Sequence, residues 1–249
     1  MSSQVKYFNF PIQLLEGFLE DSKSCLENII SYSVCYHAFF TYEVSEVDEH
    51  NEYEPDPSDE SKLNDYRIKA AMRFYHINID GYSYLKETGL VLLDSVPKDS
   101  PKTGLNVSIF WDYFNNHKTE FEKAVLLCHL ALKSIVMNRK YAKTQNLFMW
   151  SRMNGNTKSI KSIDSLDSLL HKYTKPYQRQ KIIDSLRLEW GLSYYGERSR
   201  GFYFSYQLDF KDLALAAEKK KKSRRLENMK KEQREIAAEV RKGLNSKTD

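Results

Sequence analysis

Residues 163–206, IDSLDSLLHKYTKPYQRQKIIDSLRLEWGLSYYGERSRGFYFSY, contain the sequence pattern that decides the fold. Ser162 is a candidate N-cap for a short first helix, because apolar residues at helical spacing follow it: Ile163, Leu166, Leu169 and Leu170. Thr174 followed by Pro176 predicts the start of a second helix, and Gly191 is placed to end it as a C′ glycine. The stretch therefore predicts two helices separated by a tight turn.

The second predicted helix, at about Lys175–Trp190, has an apolar side and a polar side. Its apolar side is formed by Ile182, Ile183, Leu186 and Trp190. Its polar side presents hydrogen-bonding groups that could reach the edges of bases, on Tyr177, Gln178, Lys181 and Ser185. We expect Trp190 to pack against Leu186 and Phe202, beneath the segment that follows the helix.

That following segment predicts a β-hairpin. Two short aromatic β segments, residues 192–195 and 201–206, are joined by Gly196-Glu197-Arg198-Ser199-Arg200. Arg198 and Arg200 would lie at the tip of the hairpin. A helix pair followed by such a hairpin suits a duplex, since the second helix can enter the major groove while the hairpin reaches the flanking backbone or minor groove.

This order of elements resembles the winged helix-turn-helix family, found in bacterial and phage regulators and in plasmid replication initiators. The resemblance covers about residues 118–206 and rests on residues 178–186, which lead into Trp190-Gly191-Leu192, and on residues 199–205. A long amphipathic helix at Lys118–Asn138 would be its first helix, and an extra segment at Lys143–Met153, predicted to be helical, departs from the family pattern. The resemblance implies DNA binding, although winged helices also serve as protein-interaction modules.

The charge distribution is an independent indication of DNA binding. Residues 1–138 have 12 Lys and Arg against 21 Asp and Glu, a net charge of −9, whereas residues 139–206 have 13 against 5, a net charge of +8. Residues 218–249 have 12 against 6, a net charge of +6, so the total of +4 hides a strong asymmetry. Positive charge therefore coincides with the winged pattern and the C-terminal tail, where neutralising phosphates would release counterions.

The N-terminal part, residues 1–117, is predicted to be acidic and mostly helical. Segments 14–19, 26–40 and 63–76 have apolar residues at helical spacing, and Thr88–Val96 and Asn106–Phe110 are predicted to be short strands. An acidic, proline-containing stretch at about 43–62 predicts a mobile linker. The whole fold is expected to be mainly α with small β elements, divided into residues 1–117, a winged helix-like domain at 118–210 and a basic helix or tail at 211–249.

The tail has a dense basic run in a helix-favouring composition: Lys219, Lys220, Lys221, Lys222, Arg224 and Arg225. A thin apolar stripe at Leu226, Met229, Ile236 and Val240 spans too few heptads to predict a coiled coil. The tail is either a solvated terminal helix or an arm that lies along phosphates and adds affinity without sequence information.

Motifs of known catalytic and metal sites are missing from the sequence. There is no phosphate-binding loop, no HExxH, no GxSxG and no cysteine pair at metal-ligand spacing, and Cys25, Cys35 and Cys128 are too few and odd in number for a disulfide scaffold. Cys128-His129 fits packing better than ligation. We expect no enzymatic activity, no cofactor, no metal and no membrane association, in a soluble cytoplasmic protein.

The sequence thus predicts a protein that binds double-stranded DNA, in transcriptional control or replication initiation of a bacterium or mobile element. Gln178 is the candidate for a bidentate contact to adenine and Lys181 for guanine, with Lys175, Tyr177 and Ser185 nearby. Arg198, Arg200 and the basic tail run would hold the backbone, and a homodimer is left open. The alternative is an accessory module whose winged domain and tail contact a protein or RNA partner.

Overall fold

A computed structural model describes residues 6–41, 56, 58–197 and 201–245 and shows a mainly helical chain with two small antiparallel sheets. The predicted wing-tip residues Arg198 and Arg200 lie outside the described residues, as does most of the predicted acidic linker. The first half contains the elements β1 (Tyr7–Pro11), α1 (Ser22–Phe40), α2 (Glu60–Phe74), α3 (Tyr82–Ser95), β2 (Lys102–Asn106) and α4 (Val107–Asn115).

Helix α1 is the centre of the first half and packs against α2, α3 and β1. It begins behind Asp21, whose carboxylate accepts from the Ser24 N–H, and its buried side includes Leu26, Ile29 and Val34. Beside it, β1 and β2 pair antiparallel, with Phe8 opposite Leu105. The ring of Phe8 stacks on the ring of Tyr75 at 4.5 Å and joins this small sheet to the end of α2.

Two predicted strands of the first half are wrong. The segment predicted as a strand at Thr88–Val96 lies in α3, where the i, i+4 pair Leu85 and Gly89 is buried against α1. The segment Asn106–Phe110 is instead the end of β2 and the start of α4, because the Asn106 side chain accepts from the Ser108 N–H and caps the helix. The predicted helices at 26–40 and 63–76 are confirmed as α1 and α2, whereas residues 14–19 contain only the end of a 3-10 turn, Ile12–Leu15.

The second half has a three-stranded sheet surrounded by helices. Its elements are α5 (Glu120–Val136), β3 (Ala142–Thr144), α6 (Asn146–Met153), α7 (Ser168–Thr174), α8 (Pro176–Glu189), β4 (Ser193–Glu197), β5 (Gly201–Ser205) and α9 (Phe210–Asn245). Helix α5 starts with a capping box in which Thr119 and Glu122 satisfy each other's backbone N–H groups. The strands are antiparallel in the order β3-β5-β4. Strand β3, which precedes helices α7 and α8 in the chain, therefore lies at one edge of the sheet.

The second helix is confirmed to within a residue and the hairpin is confirmed as a pair of strands, although β4 includes Gly196 and Glu197, which were predicted to lie in the turn. Helix α8 lies between Lys175 and Trp190, and Gly191 adopts a φ of +67° directly after it. Two neighbouring predictions need correction. Lys143 and Thr144, at the start of the segment predicted as helical, belong to β3, and helix α6 starts only at Asn146. Ile163 is 41% exposed in a separate 3-10 turn, because Asp167 caps a new helix, α7.

The two faces of the three-stranded sheet have different neighbours. Phe202 and Phe204 on β5 are buried in the main core, which also contains Ile182 and Leu186 of α8. Tyr203 points to the other face, where it meets Leu213 and Ala217 of α9. The sheet therefore separates α8 from α9.

Buried residues from both halves form one continuous core cluster, which extends from Phe8 to Phe204. The division at residue 117 that the sequence predicts stays a prediction, and the acidic linker is shorter than predicted at its C-terminal end, since α2 already starts at Glu60.

Candidate nucleic-acid interface

The turn between α7 and α8 is a single residue long. Lys175 has φ −60° and ψ +139°, and it is at once the C-cap of α7 and the N-cap of α8. Pro176 follows at the first helical position, where its missing N–H costs no hydrogen bond. One extended residue therefore joins the two helices. Helix α8 buries Ile182, Ile183 and Leu186 and presents its other side to solvent.

The outer side of α8 is a stripe formed by Tyr177, Lys181, Asp184 and Leu188. Tyr177 is 66% exposed, and the Lys181 ammonium lies 4.7 Å from the centre of its ring. Asp184 accepts from the Gln180 side chain at 2.9 Å, and it lies 3.6 Å from Arg187. Leu188 is 86% exposed. The stripe thus combines one cation, one aromatic ring, one carboxylate that pairs with Arg187 and one exposed apolar side chain.

The other residues predicted to contact DNA through α8 lie at the margins of this stripe. Lys175 is exposed at the start of the helix, and Gln178 is half-buried. Ser185 lines a groove of about 470 Å³ between α8 and the α4–α5 connection, together with the carboxylates of Asp112, Glu122 and Glu189 and the ammonium of Lys118, which pairs with Asp112. Ser185 therefore faces an acidic groove rather than the solvent side on which Lys181 lies.

The predicted tail helix is confirmed as α9, and its first two turns are attached to the sheet. Leu213 and Ala217 are buried against Tyr203. The Tyr195 hydroxyl donates to the Glu218 carboxylate at 2.7 Å, and the Lys221 ammonium donates to the same oxygen at 2.9 Å. These bonds favour the charged carboxylate and lower the pKa of Glu218, with the Lys221 bond contributing most.

Beyond this attachment, α9 forms one wall of a cleft of about 1340 Å³, which we call the basic cleft. Lys220, Lys221, Arg224 and Arg225 line it from α9, and Lys143, Gln145 and Ser159 line it from the β3–α6 side. Lys219 and Lys222 belong to the same basic run but do not line the cleft. The sequence missed Lys143 as a site residue. Lys143 lies beside Tyr203 on the face of the sheet away from the core, because side chains alternate along strand β3. A helical prediction for this segment does not contain that alternation, so it could not identify Lys143.

The predicted binding residues are not all on one surface. Lys181 lies on α8, on the core side of the three-stranded sheet, whereas the basic cleft adjoins Tyr203 on the opposite face. The first turn of α6 borders both regions. Gln145 and Phe148 line the basic cleft, and Asn146 and Leu147 line a smaller pocket with Arg179 of α8. The tail cations therefore do not extend the α8 stripe but form a second positive surface around the sheet edge.

A buried cluster beneath α8 also escaped the sequence analysis. The His129 ring lies 4.3 Å from the Trp190 ring and 5.0 Å from the Tyr206 ring, and Lys133 lies 4.8 Å from the Tyr206 ring. Burial, with the Lys133 charge as a smaller cause, lowers the pKa of His129 to about 3. Burial also raises the pKa of Tyr206 well above its ordinary value. His129 is a neutral packing residue here, in agreement with the interpretation of Cys128-His129 as packing, and Cys128 beside it is fully buried.

Among the described residues, no group of three or more His, Cys, Asp and Glu is placed to hold a metal ion. In the same part of the chain, no helix has both the length and the apolar composition needed to cross a bilayer. Comparison with protein families, with curated proteins and with solved structures gives no match to this chain.

Proposed function

We propose that this protein binds double-stranded DNA through a winged helix formed by α5, β3, α7, α8, β4 and β5. The observation that supports the proposal most is the sheet order β3-β5-β4, in which the strand from before the helix pair joins the hairpin that follows it. This arrangement supports α8 from behind and leaves the Tyr177–Lys181 side free to approach a groove. The helix pair followed by the hairpin is the part of this arrangement on which the resemblance to winged helix-turn-helix regulators and initiators rests.

In this proposal, the N-terminal half of α8 meets the DNA. Lys181 donates to the acceptor edge of guanine, and Gln178 makes a paired contact to adenine after a change of side-chain rotamer that frees it from its half-buried position. Lys175 and Tyr177 contact flanking phosphates, and Arg198 and Arg200 of the hairpin hold the backbone on the far side of the groove. Ser185 contributes nothing, because it lies in the acidic groove.

The protein acts, in this proposal, in transcriptional control or replication initiation, without catalysis or a cofactor. The net charge of +8 over residues 139–206 predicts steep salt dependence of duplex binding. The test is a titration of a labelled random duplex, followed at several salt concentrations by fluorescence anisotropy. Affinity is expected to fall by orders of magnitude between low and moderate salt. The absence of measurable duplex binding at low salt would reject the proposal.

A protein-interaction module is the second candidate, and Leu188 favours it. Leu188 is 86% exposed on the same stripe as the exposed Tyr177, so a partner protein that covered this stripe would bury both side chains. The two candidates respond differently to Leu188→Ser. Under the DNA proposal this variant binds duplex as the wild type does, whereas under the alternative it releases the protein partner while duplex binding is absent in both forms.

A further inference from the structure

The basic cleft has positive charge on two walls that face each other. Arg224 and Arg225 are exposed on α9, and Lys143 is exposed on β3, across a space of about 1340 Å³. Among the described lining residues, Glu232 is the one carboxylate. It lies seven residues beyond Arg225, about 10 Å along the helix at about 1.5 Å per residue. A polyanion lying between the walls would meet cations on both sides.

The position of the α9 wall is fixed by contacts that precede Arg224 along the helix. Leu213 and Ala217 are buried against the sheet, and Glu218 accepts from both Tyr195 and Lys221. Arg224 and Arg225 follow within two turns of this attachment. Their positions opposite Lys143 therefore do not require the ligand to order the helix first, which lowers the entropic cost of binding.

The remaining lining distinguishes between kinds of polyanion. Phe148 and Met229 give the cleft apolar surface, and Gln145 and Asn228 give it amide groups that can both donate and accept hydrogen bonds. A duplex encloses the faces of its bases and would offer such a cleft only phosphates and sugars. An unpaired strand exposes base faces and edges next to its phosphates, and basic grooves with apolar or aromatic surface are how proteins hold such strands.

We propose that the basic cleft binds a single, unpaired nucleic-acid strand. Its phosphates lie between Lys143 and the Arg224–Arg225 pair, and its bases lie against Phe148 and Met229. This site goes beyond the duplex binding proposed for α8 and is separated from it by the three-stranded sheet. A protein with both sites could hold a duplex on α8 while it holds an unpaired strand at the sheet edge.

The test uses the full chain and two labelled probes, a 20-nucleotide oligo-dT and a 20-nucleotide oligo-U, titrated by fluorescence anisotropy at low salt. The variant Lys143→Glu/Arg224→Glu removes one cation from each wall. The variant Lys219→Glu/Lys222→Glu makes the same change in net charge outside the cleft. We expect the first variant to weaken binding by about tenfold or more and the second by less than about threefold. The first should also reduce the salt slope by about 0.7 for each phosphate that the cleft no longer neutralises. A circular dichroism melt establishes that both variants are folded.

Binding of either probe with this contrast between the variants supports the proposal, and the preferred probe identifies the strand as DNA or RNA. Equal reductions in the two variants, or no binding of either probe, would overturn it. So would displacement of the probe by poly-glutamate as effectively as by unlabelled oligo-dT, since the cleft would then be selecting charge alone. The variant Tyr177→Ala/Lys181→Ala separates the two proposals, because it should weaken duplex binding and leave oligo-dT binding unchanged.

Discussion

The indole ring of Trp190, at the end of α8, packs on the imidazole ring of His129, in the middle of α5, with ring centres 4.3 Å apart and planes inclined at 41°. Tyr206, just after β5, meets the same imidazole edge-on at 5.0 Å. The end of α8, the middle of α5 and the exit of the hairpin therefore meet at one buried ring. The sequence predicts that Trp190 packs on Leu186 and Phe202 beneath the hairpin, and in the structure it packs against the core cluster that includes both. Its ring contact with His129 also connects the end of α8 to α5.

Replacing Trp190 with alanine should lower the free energy of unfolding by about 3 kcal/mol. This is the lower end of the range for truncating a large aromatic residue, because Trp190 is half-buried. Chemical denaturation monitored by circular dichroism measures the change. Leu188→Ala is the matched control, since Leu188 is 86% exposed on the same helix and its truncation should change stability by less than about 0.5 kcal/mol. Under the DNA proposal, Trp190→Ala also weakens duplex binding, and normal duplex affinity in a folded variant would argue against α8 as the recognition helix.

His129 should make the protein less stable as the pH falls below neutrality. Its pKa is about 3 in the folded chain and about 6.5 when unfolded, so the unfolded state takes up a proton first and gains stability as the pH drops. The stabilisation is complete above pH 6.5 and declines as the pH falls toward 3. Between pH 7 and pH 5 the expected decrease in the free energy of unfolding is about 2 kcal/mol.

The measurement is urea denaturation at pH 7, 6 and 5, where most carboxylates stay ionised. In His129→Phe this part of the pH dependence should disappear, whatever the absolute stability of the variant. His117→Gln is the matched control, because it removes an exposed imidazole rather than the buried one. An unchanged pH dependence in His129→Phe would contradict the buried neutral state.

At Gly89, helix α3 lies so close to α1 that there is no room for a side chain. A Cβ placed there would overlap with the Cys35 sulfur and the Ser31 carbonyl oxygen, and one of these is backbone that cannot rotate away. Gly89→Ala should therefore cost about 1–3 kcal/mol, although alanine favours helices. Gly81→Ala is the control, since nothing lies within 4 Å of a Cβ there. Thermal melts of the two variants should differ by several degrees, and equal melting temperatures would mean that the α1–α3 contact is looser than described.

Base recognition and backbone contact can be separated on α8. Under the DNA proposal, Lys181→Ala or Gln178→Ala should cost about 1–3 kcal/mol at the preferred site and relax specificity there. Lys175→Ala, at the exposed start of the helix, should weaken preferred and random duplexes alike. Selection of duplexes from a random pool supplies the preferred site, and competition titrations measure the ratio. If Lys181→Ala lowers the affinity for the preferred and the random duplex equally, Lys181 contacts only phosphate and does not recognise a base.

The elements that the sequence predicted best are those whose ends have their own chemical signals. Pro176 and Gly191 limit α8 to within a residue, and the two aromatic β segments locate the strands of the hairpin, whereas Gly196, predicted to lie in the turn, belongs to β4. The wrong predictions concern short elements whose sequence does not distinguish a strand from a helix. Residues 142–144 form a strand because β5 provides hydrogen-bonding partners for them. Those partners lie about 60 residues later in the chain, so the local sequence does not indicate the pairing.

The candidate site could be predicted only in part, for a related reason. Helical spacing separates Tyr177 and Lys181 from the buried side of α8, so the sequence identified that stripe. Spacing along one helix cannot reveal a groove formed with another element, and Ser185 was therefore misplaced. The basic run at 219–225 was visible in the sequence. Its division into cleft residues and the outward-facing pair Lys219 and Lys222 depends on which side of α9 meets the sheet.

Ala217 is the last described residue of α9 that is buried, and residues 222–238 are all exposed. Cleavage after the first two turns should therefore release a soluble peptide from an otherwise intact body, and limited proteolysis should find its first sites there. Charge in this region can be added, removed or reversed without repacking any core. The strength of ligand binding at the sheet edge can consequently evolve, or be engineered, separately from the stability of the molecule.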